Sequence, residues 1–501
     1  MSQATMDGAV KAAPHQPEDA ARNNLVIALL LVSAFVMFLN ETIMSVAIPQ
    51  LMIDLNITAG SAQWLTTAFL LTMAIVIPIT GYLLQRFHTR PIFTASISIF
   101  SVGTLICAIA PGIELLIVGR VVQAVGTAIM MPLLMTTVMS LVPANGRGKV
   151  MGNISIVMSV APAIGPTIGG FILAHFAWRY MFYFTLPIAI VTLVVGYLKV
   201  QNVSEPRKTP LDVISVILSA LGFGGLVFGL SSLGGGGHGG SVEHAAEQGA
   251  SMPAWVPVVV GVVAMAIFVW RQIQLQKSDK ALLDLRVLTH GNYSVSLVTA
   301  SLAMVALLGS SIMLPLYTQQ VLGLDTLQTG MLMLPGGLIM GVLAPLVGRL
   351  YDQYGPRPLM VPGVFAVSAV MWLFSFVGTD TPVWLVVAAH IIMSIGLAFV
   401  FTPMFTAAMG SVPKPLYSHA SATLSSVQQV AGAAGIALFV ALMSLTSAAQ
   451  MAEGIAPVEA MAAGVRASFI CGGIATVLML IAAWFVKKPE GEGPGEGFAG
   501  H

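Results

Sequence analysis

Runs of about twenty apolar residues, broken by short polar stretches, recur along the whole chain. At about 1.5 Å of rise per residue, each run is long enough to cross a hydrocarbon core roughly 30 Å thick as a helix. The runs are continuous and lack the period-two alternation of a membrane β-barrel strand. They predict an all-α polytopic membrane protein with fourteen transmembrane helices, over residues 24–51, 60–83, 92–110, 114–142, 150–175, 180–199, 211–231, 254–273, 291–319, 326–348, 359–377, 382–410, 419–446 and 464–486. The first run follows a polar stretch ending at Asn24 and has no A-x-A cleavage pattern, so it is expected to remain as a helix and not to be removed as a signal peptide.

Charge fixes the orientation. An even number of helices puts both termini on one side, and if that side is cytoplasmic, eighteen of the 21 Lys and Arg residues fall inside. Only Arg179 and Arg466 then fall outside, and Arg120 falls within the fourth helix. One missed helix would invert every later loop, so this bias supports the helix count as well as cytoplasmic termini. The linker at 232–253, SLGGGGHGGSVEHAAEQGASMP, carries no Lys or Arg and reads as a flexible outer tether. His238 and His244 within it have no further ligands nearby, so no metal site is expected.

The chain also repeats itself. GYLLQRFHTRP from Gly81 and GRLYDQYGPRP from Gly348 are offset by 267 residues, and LLIVGRVVQAVG from Leu115 pairs with WLVVAAHIIMSIG from Trp384 near the same offset. Two homologous six-helix halves with two helices inserted between them explain the pattern, a plan in which a central cavity lies between parallel repeats. The expected organisation is an N-terminal tail at 1–23, a six-helix bundle at 24–200, a linker with two extra transmembrane helices at 201–290, a second six-helix bundle at 291–486, and a C-terminal tail at 487–501, with both tails cytoplasmic.

Composition narrows the function. The chain is 57% hydrophobic and 8% charged, with a mean hydropathy of +0.90, so lipid is the solvent for most of it. A net charge of +1 provides no basic field for nucleic acid, and the two cysteines, Cys107 and Cys471, both lie in apolar runs and read as buried structural thiols. An intramembrane enzyme is disfavoured by the absence of HExxH and GxSxG, and a nucleotide-driven pump by the absence of GxxxxGK[ST]. Metal, cofactor and catalytic residues are expected to be none.

One acid breaks the apolar pattern. Of twenty acidic residues the topology places eleven inside, eight outside, and Glu41 alone in a membrane core. An ionised acid there costs on the order of 2.5–3.5 kcal/mol on insertion scales, so such a residue usually faces a cavity and has a function. Glu41 lies roughly 15 Å and Arg120 roughly 9 Å below the outer helix ends at 1.5 Å per residue, a difference one long side chain can bridge. Burial opposes ionisation of the acid and a nearby guanidinium favours it; their balance can set a proton affinity useful for coupling. His390 occupies the repeat position of Arg120 and is a candidate second proton site. Polar residues at membrane depth, namely Asn40, Glu41, Gln63, Asn153, Tyr317, Gln320, Gln428 and Gln429, are candidate substrate contacts, and some of the 29 methionines could line a promiscuous surface.

These features together resemble the major facilitator superfamily, in particular its fourteen-helix drug:proton antiporters of the EmrB/QacA type. The loop motif G-x-L-x-D-R-x-G-R-[RK] is matched at Gly81, Leu83, Arg86 and Arg90, and its second copy at Gly348, Asp352, Gly355 and Arg357. Gln85 occupies the acidic position of the first copy and His88 its glycine. The motif R-x-x-Q-G-x-G is matched at Arg120, Gln123 and Gly126, with Ala124 replacing a glycine. The antiporter motif G-x-x-x-G-P-x-x-G-G is matched at Gly165, Pro166, Gly169 and Gly170, with Ala161 at its first glycine and a further proline at Pro162. LNETIMSVAIPQLM is similar to the LmrB branch, associated with lincosamide resistance.

The resemblance implies a monomeric exporter of hydrophobic or cationic drugs in a bacterial inner membrane, in contact with membrane lipids and driven by the proton gradient with no cofactor. Its helix 5 motif implies a seal against proton leak, which favours antiport. Export of a specific endogenous metabolite or lipid, or uptake by symport, are the alternatives.

Overall fold

The computed structural model describes residues 17–202, 210–233, 253 and 255–489. Fourteen long helices account for most of them: α1 (Pro17–Asp54), α2 (Ala59–Arg86), α3 (Thr89–Ile109), α4 (Ile113–Leu141), α5 (Arg147–His175), α6 (Tyr180–Lys199), α7 (Val213–Leu233), α8 (Trp255–Leu275), α9 (Gly291–Gln320), α10 (Thr326–Tyr354), α11 (Arg357–Phe374), α12 (Val383–Gly410), α13 (Tyr417–Ala452) and α14 (Pro457–Phe485). Fourteen stretches are long and apolar enough to cross a membrane, one in each helix. The chain is a multi-pass membrane protein. A helix bonds its own backbone, which lipid cannot do, and among the described residues no strand occurs. Most of the glycine-rich tether, with His238 and His244, lies outside the described residues.

Several helices run past the apolar stretches that predicted them. The α14 helix starts at Pro457, not 464, and α13 continues to Ala452, not 446. Hydropathy ends where polar residues begin, whereas the hydrogen-bonded backbone continues through the interfacial layer. One consequence is that Arg466 lies within α14, where it donates to Val377 O at 3.5 Å, and not in an outer loop. Helix ends carry local stop and start chemistry. Thr58 caps α2 by accepting from Ser61 N, Asp325 and Gln328 form a reciprocal capping box on α10, and Gly355 ends α10 at φ +79°.

Helices α1–α6 and α9–α14 form the two six-helix bundles. The main contacts between them are α5 with α10 and α2 with α13. Since α2 and α10 carry the two loop motifs, these contacts are repeat mates of one another. Helices α7 and α8 pack on each other, and α7 sits against both α2 and α13. At the α5–α10 crossing, Gly148 and Gly348 bring backbone onto backbone, so a side-chain carbon on either would collide with the other helix. Asp352 accepts there from Gly148 N at 2.8 Å and Lys149 N at 3.1 Å. Further links between the halves join Thr136 to Ser421 at 2.9 Å, Thr402 to Ser155 at 2.8 Å, and Arg147 to the Tyr417 hydroxyl at 3.4 Å. All lie within about 12 Å of the helix ends on the face that carries the termini, counted at 1.5 Å per residue. The termini-bearing face is therefore closed.

The inserted pair is fastened near the same face. The Asp212 carboxylate accepts from Arg271 Nε at 2.7 Å and Nη2 at 2.9 Å, and from the Ser215 hydroxyl and backbone N–H. The Arg271 hydrogen bonds above all, with those from Ser215, hold the Asp212 carboxyl below its ordinary 3.8, at about 2. Gln272 donates to Ser215 Oγ at 2.7 Å and accepts from Leu283 N at 3.2 Å, which ties the segment after α8 to the pair. Asp212→Asn is expected to cost about 1–2 kcal/mol at neutral pH, seen as a lower thermal midpoint of the purified protein. Because the carboxyl is depressed in the folded state, its contribution is complete above its ordinary pKa and fades as pH falls through about 2. The gap between wild type and variant should therefore narrow below pH 4. Equal midpoints at pH 7 would refute the assignment.

Candidate functional site

The Arg120 side chain is 1% exposed, so its donors must find protein partners. Nη1 donates to Asn40 Oδ1 of α1 at 3.1 Å and to Gln123 Oε1 of α4 at 3.0 Å, and Nε donates to Leu65 O of α2 at 3.4 Å. The guanidinium carbon stands 4.1 Å from the centre of the Phe69 ring. Gln123 in turn donates to Thr104 Oγ1 of α3 at 2.8 Å. One cation thus draws four helices of the first bundle together. The helix 4 motif places Arg120 and Gln123 on one face three residues apart, and Gly126, one turn further, lets α3 approach closely enough for Ser96 Oγ to donate to Gly126 O at 2.7 Å.

Glu41 is half-buried on α1, and its Oε2 is buried with no hydrogen-bond partner. Every other acid among the described residues lies within two residues of a helix end or in a connecting segment. The acceptor for Arg120 is Asn40, so the direct Glu41–Arg120 contact allowed by depth arithmetic is replaced by a neutral one. The residues after Glu41 meet α5. Thr42 donates to Ala161 O at 3.2 Å, and carbons added at Gly165 and Gly169 would press on Thr42 and Ile43 respectively. A side chain at Gly170 would meet nothing within 4 Å. Pro162 is exposed and Pro166 half-buried on the same helix.

The other candidates scatter. His390 of α12 is 8% exposed, with Nε2 3.2 Å from Met333 O and Nδ1 unpartnered. It faces α10 much as Arg120 faces α2. Tyr317 is fully buried and donates to Gly378 O at 2.7 Å, which commits its hydroxyl to packing at the outer end of α9. Gln320 is exposed beyond it, at the end of α9. Gln63 and Asn153 are half-buried on α2 and α5, Gln429 is half-buried on α13, and the adjacent Gln428 is buried with Nε2 unpartnered. Arg90 stacks 4.7 Å from the Tyr197 ring and Arg357 6.0 Å from that of Trp484, so these motif arginines anchor helix ends. Thr104 and Phe69 belong to the site but carried no motif, and the only available signal for Thr104 was a polar residue inside an apolar run.

The helices and their pseudo-symmetric halves agree with comparison to known proteins. A family model described as Major Facilitator Superfamily matches residues 30–436. The chain belongs to the major facilitator superfamily. The lincomycin resistance protein LmrB of Listeria monocytogenes is 37% identical over 470 residues, covering 93% of this chain and 97% of its own. YcnB of Bacillus subtilis, an uncharacterized MFS-type transporter, is 36% identical over 467 residues, covering 93% of this chain and 96% of its own. Among solved structures, the human organic anion transporter MFSD10 aligns with a TM-score of 0.64 at 14% identity, covering 93% of this chain and all of that one. The proton:xylose symporter XylE aligns at 0.61 and 15% identity, covering 94% and 98%. Both share the fold.

This superfamily member is a transporter, not an enzyme. Its α1–α5 contact distinguishes the glycines of the helix 5 motif. Gly165→Ala should cut transport at least fivefold at equal membrane abundance by displacing Thr42, while Gly170→Ala should leave it within twofold of wild type. Whole-cell efflux normalised to protein level checks this, and equal effects at the two positions would contradict the packing described.

Proposed function

We propose that the protein is a proton-coupled antiporter that exports hydrophobic or cationic drugs, lincosamides among them, from a bacterial cytoplasm or inner leaflet by alternating access. The observation that carries this reading is Glu41, an acid in mid-membrane with one buried carboxylate oxygen unpartnered, packed one residue from the helix that carries the antiporter motif. Names among its relatives, lincomycin resistance protein and multidrug resistance protein B homolog, support drug export. The charge bias supports cytoplasmic termini in the inner membrane, so the closed face is the cytoplasmic one. A monomer suffices, because both bundles belong to one chain.

In the proposed cycle Glu41 takes a proton from outside and releases it inside, and its ionised form favours loading of substrate. Arg120, held by Asn40 and Gln123, supplies a fixed positive field that biases Glu41 without neutralising it by contact. Substrate and proton compete for one state of the carboxylate, so their movements are opposed. A proton crossing 100 mV supplies about 2.3 kcal/mol, worth a few tens-fold of gradient for a neutral substrate. Against a monovalent cation exchanged one for one, charge cancels and only the pH gradient drives export.

The test is reconstitution in proteoliposomes with an imposed pH gradient, presenting ethidium, lincomycin and a fluorescent lipid analogue. Drug movement coupled to proton flux is expected for ethidium or lincomycin, and Glu41→Gln should reduce it at least tenfold with the protein still folded. Wild-type rates in Glu41→Gln would overturn the role of Glu41. Movement of the lipid analogue alone would replace drug export by lipid export.

A further inference from the structure

After α14 the chain turns back under the second bundle. Val486, the C-cap of α14, is fully buried, Lys488 is half-buried and Pro489 is buried, although all three follow the last transmembrane helix. Asn292, in the first turn of α9, holds this segment. Its Nδ2 donates to Lys487 O at 2.8 Å, and its Oδ1 accepts from Lys487 N at 2.8 Å. Nδ2 also donates to Ser411 Oγ at 2.7 Å, at the end of α12. One side-chain amide thus ties both backbone groups of Lys487 to the ends of two helices.

Fixing Lys487 aims Lys488 at the end of α10. Its Nζ donates to Asp352 O at 3.1 Å, and its aliphatic stem lies along Gly355, where an added side-chain carbon would sit 3.5 Å from Cβ and Cδ. Asp352 O is one of the last four carbonyls of α10, which have no partner within the helix, so the ammonium satisfies an orphan acceptor and sits at the favourable end of the helix dipole. The carboxylate of the same residue crosses to the other half and accepts from Gly148 N and Lys149 N at the start of α5. Asp352 is therefore gripped at its backbone by the C-terminal tail and at its side chain by the opposite bundle.

The first half has a counterpart with different chemistry. Helix α6 is the repeat mate of α14, and its C-cap, Val200, is buried like Val486. Asn202, two residues on as Lys488 is, accepts from Arg90 N at 3.2 Å at the start of α3. In both halves the segment after the sixth helix pins the loop motif. Only in the second does the pin fall on a residue whose carboxylate reaches the other half, since the repeat mate of Asp352 is Gln85.

We propose that residues 486–489 form a strap that sets the gate, meaning the contacts that close the termini-bearing face, and that Lys488 and Asn292 are its positioning residues. By fixing the last turn of α10, Lys488 keeps Asp352 aimed at both backbone donors of α5. Closing the face then docks a carboxylate that is already placed. With the strap released, closing must also order that turn, and the conformational entropy lost counts against the closed state. The C-terminal tail is in this way part of the machinery that sets the conformational equilibrium. The proposal rests on alternating access but on neither the substrate nor the proton site.

Spin labels at Phe87→Cys and Lys414→Cys, both exposed and on opposite halves at this face, would report opening as a longer inter-label distance. Cys107 is fully buried and can stay, with Cys471 replaced by Ser. K488M and N292A should each raise the long-distance population at least threefold in the full-length protein, and Lys488→Arg, which can donate to the same carbonyl, should return it towards wild type. D352N should also open the gate, and adding K488M to D352N should change little, because Lys488 acts through Asp352. Unchanged distances in K488M and N292A would overturn the proposal. So would a full additional effect of K488M on D352N, or a lower thermal midpoint without a change in distance, since packing alone would produce that. If D352N left the distances unchanged, the carboxylate would not hold the gate and the proposal would fail with it. Should N292A not yield folded protein, the Lys488 variants and their combination with D352N decide by the same criteria. The measurement needs neither substrate nor proton gradient, so it stands or falls separately from the role assigned to Glu41.

Discussion

A guanidinium carries five N–H donors, and lipid offers them nothing, so burying one in mid-membrane forces the surrounding helices to supply acceptors. Around Arg120 those acceptors come from α1, α2 and α4, with α3 recruited through Gln123 and the Phe69 face closing one side. The choice of Asn40 over Glu41 as the α1 acceptor has a chemical result. Adjacent residues on a helix point about 100° apart, so committing Asn40 to the cation turns Glu41 elsewhere. A desolvated Glu41–Arg120 contact would make release of either partner expensive, because breaking a buried ion pair strands a charge. A neutral bridge keeps the arginine satisfied and leaves the acid outside that contact.

The number of helices, the two halves and the inserted pair were legible because each rests on a signal that lipid makes coarse: apolar length, charge bias and a repeat. Glu41 was legible for the same reason, as an acid where acids are costly. Helix ends were less so, since α13 and α14 extend into polar sequence that hydropathy cannot distinguish from a loop. The partner of Arg120 was not legible. Depth along two helices says that side chains can meet but not which of two neighbours, Asn40 or Glu41, faces inward. That is a matter of helix rotation, which a hydrophobic run on nearly all faces does not encode. Tyr317 illustrates the converse: a polar group at the right depth whose hydroxyl is committed to a loop carbonyl.

The repeat also explains where the structure is asymmetric. Duplicated halves begin with duplicated contacts, and the α2–α13 and α5–α10 crossings still mirror each other. His390 still faces α10 as Arg120 faces α2, with a backbone carbonyl as acceptor in both. Yet the second cluster has an imidazole where the first has a guanidinium. A ring with two nitrogens cannot organise several helices as a forked cation does, so the first bundle became the rigid electrostatic site. The contacts at the termini-bearing face show the opposite asymmetry, with an acid, Asp352, in the second half and Gln85 at the matching position of the first.

Glu41 and the contacts between the two halves lie on one connected path of packed helices. Glu41 is followed directly by Thr42 and Ile43, which seat against Gly165 and Gly169 of α5. Helix α5 in turn makes the broadest contact with the other half, through α10 and the Gly148–Gly348 crossing capped by Asp352. Under the proposed mechanism, a change of charge on Glu41 alters how α1 sits on a helix whose glycines leave no compliant side chains between the backbones. Close packing of this kind has few intermediate arrangements, so a small displacement at α1 favours a discrete shift of α5 over gradual accommodation. Under the proposed mechanism that rigidity is what lets a single proton in the first bundle bear on a gate whose other wall belongs to the second.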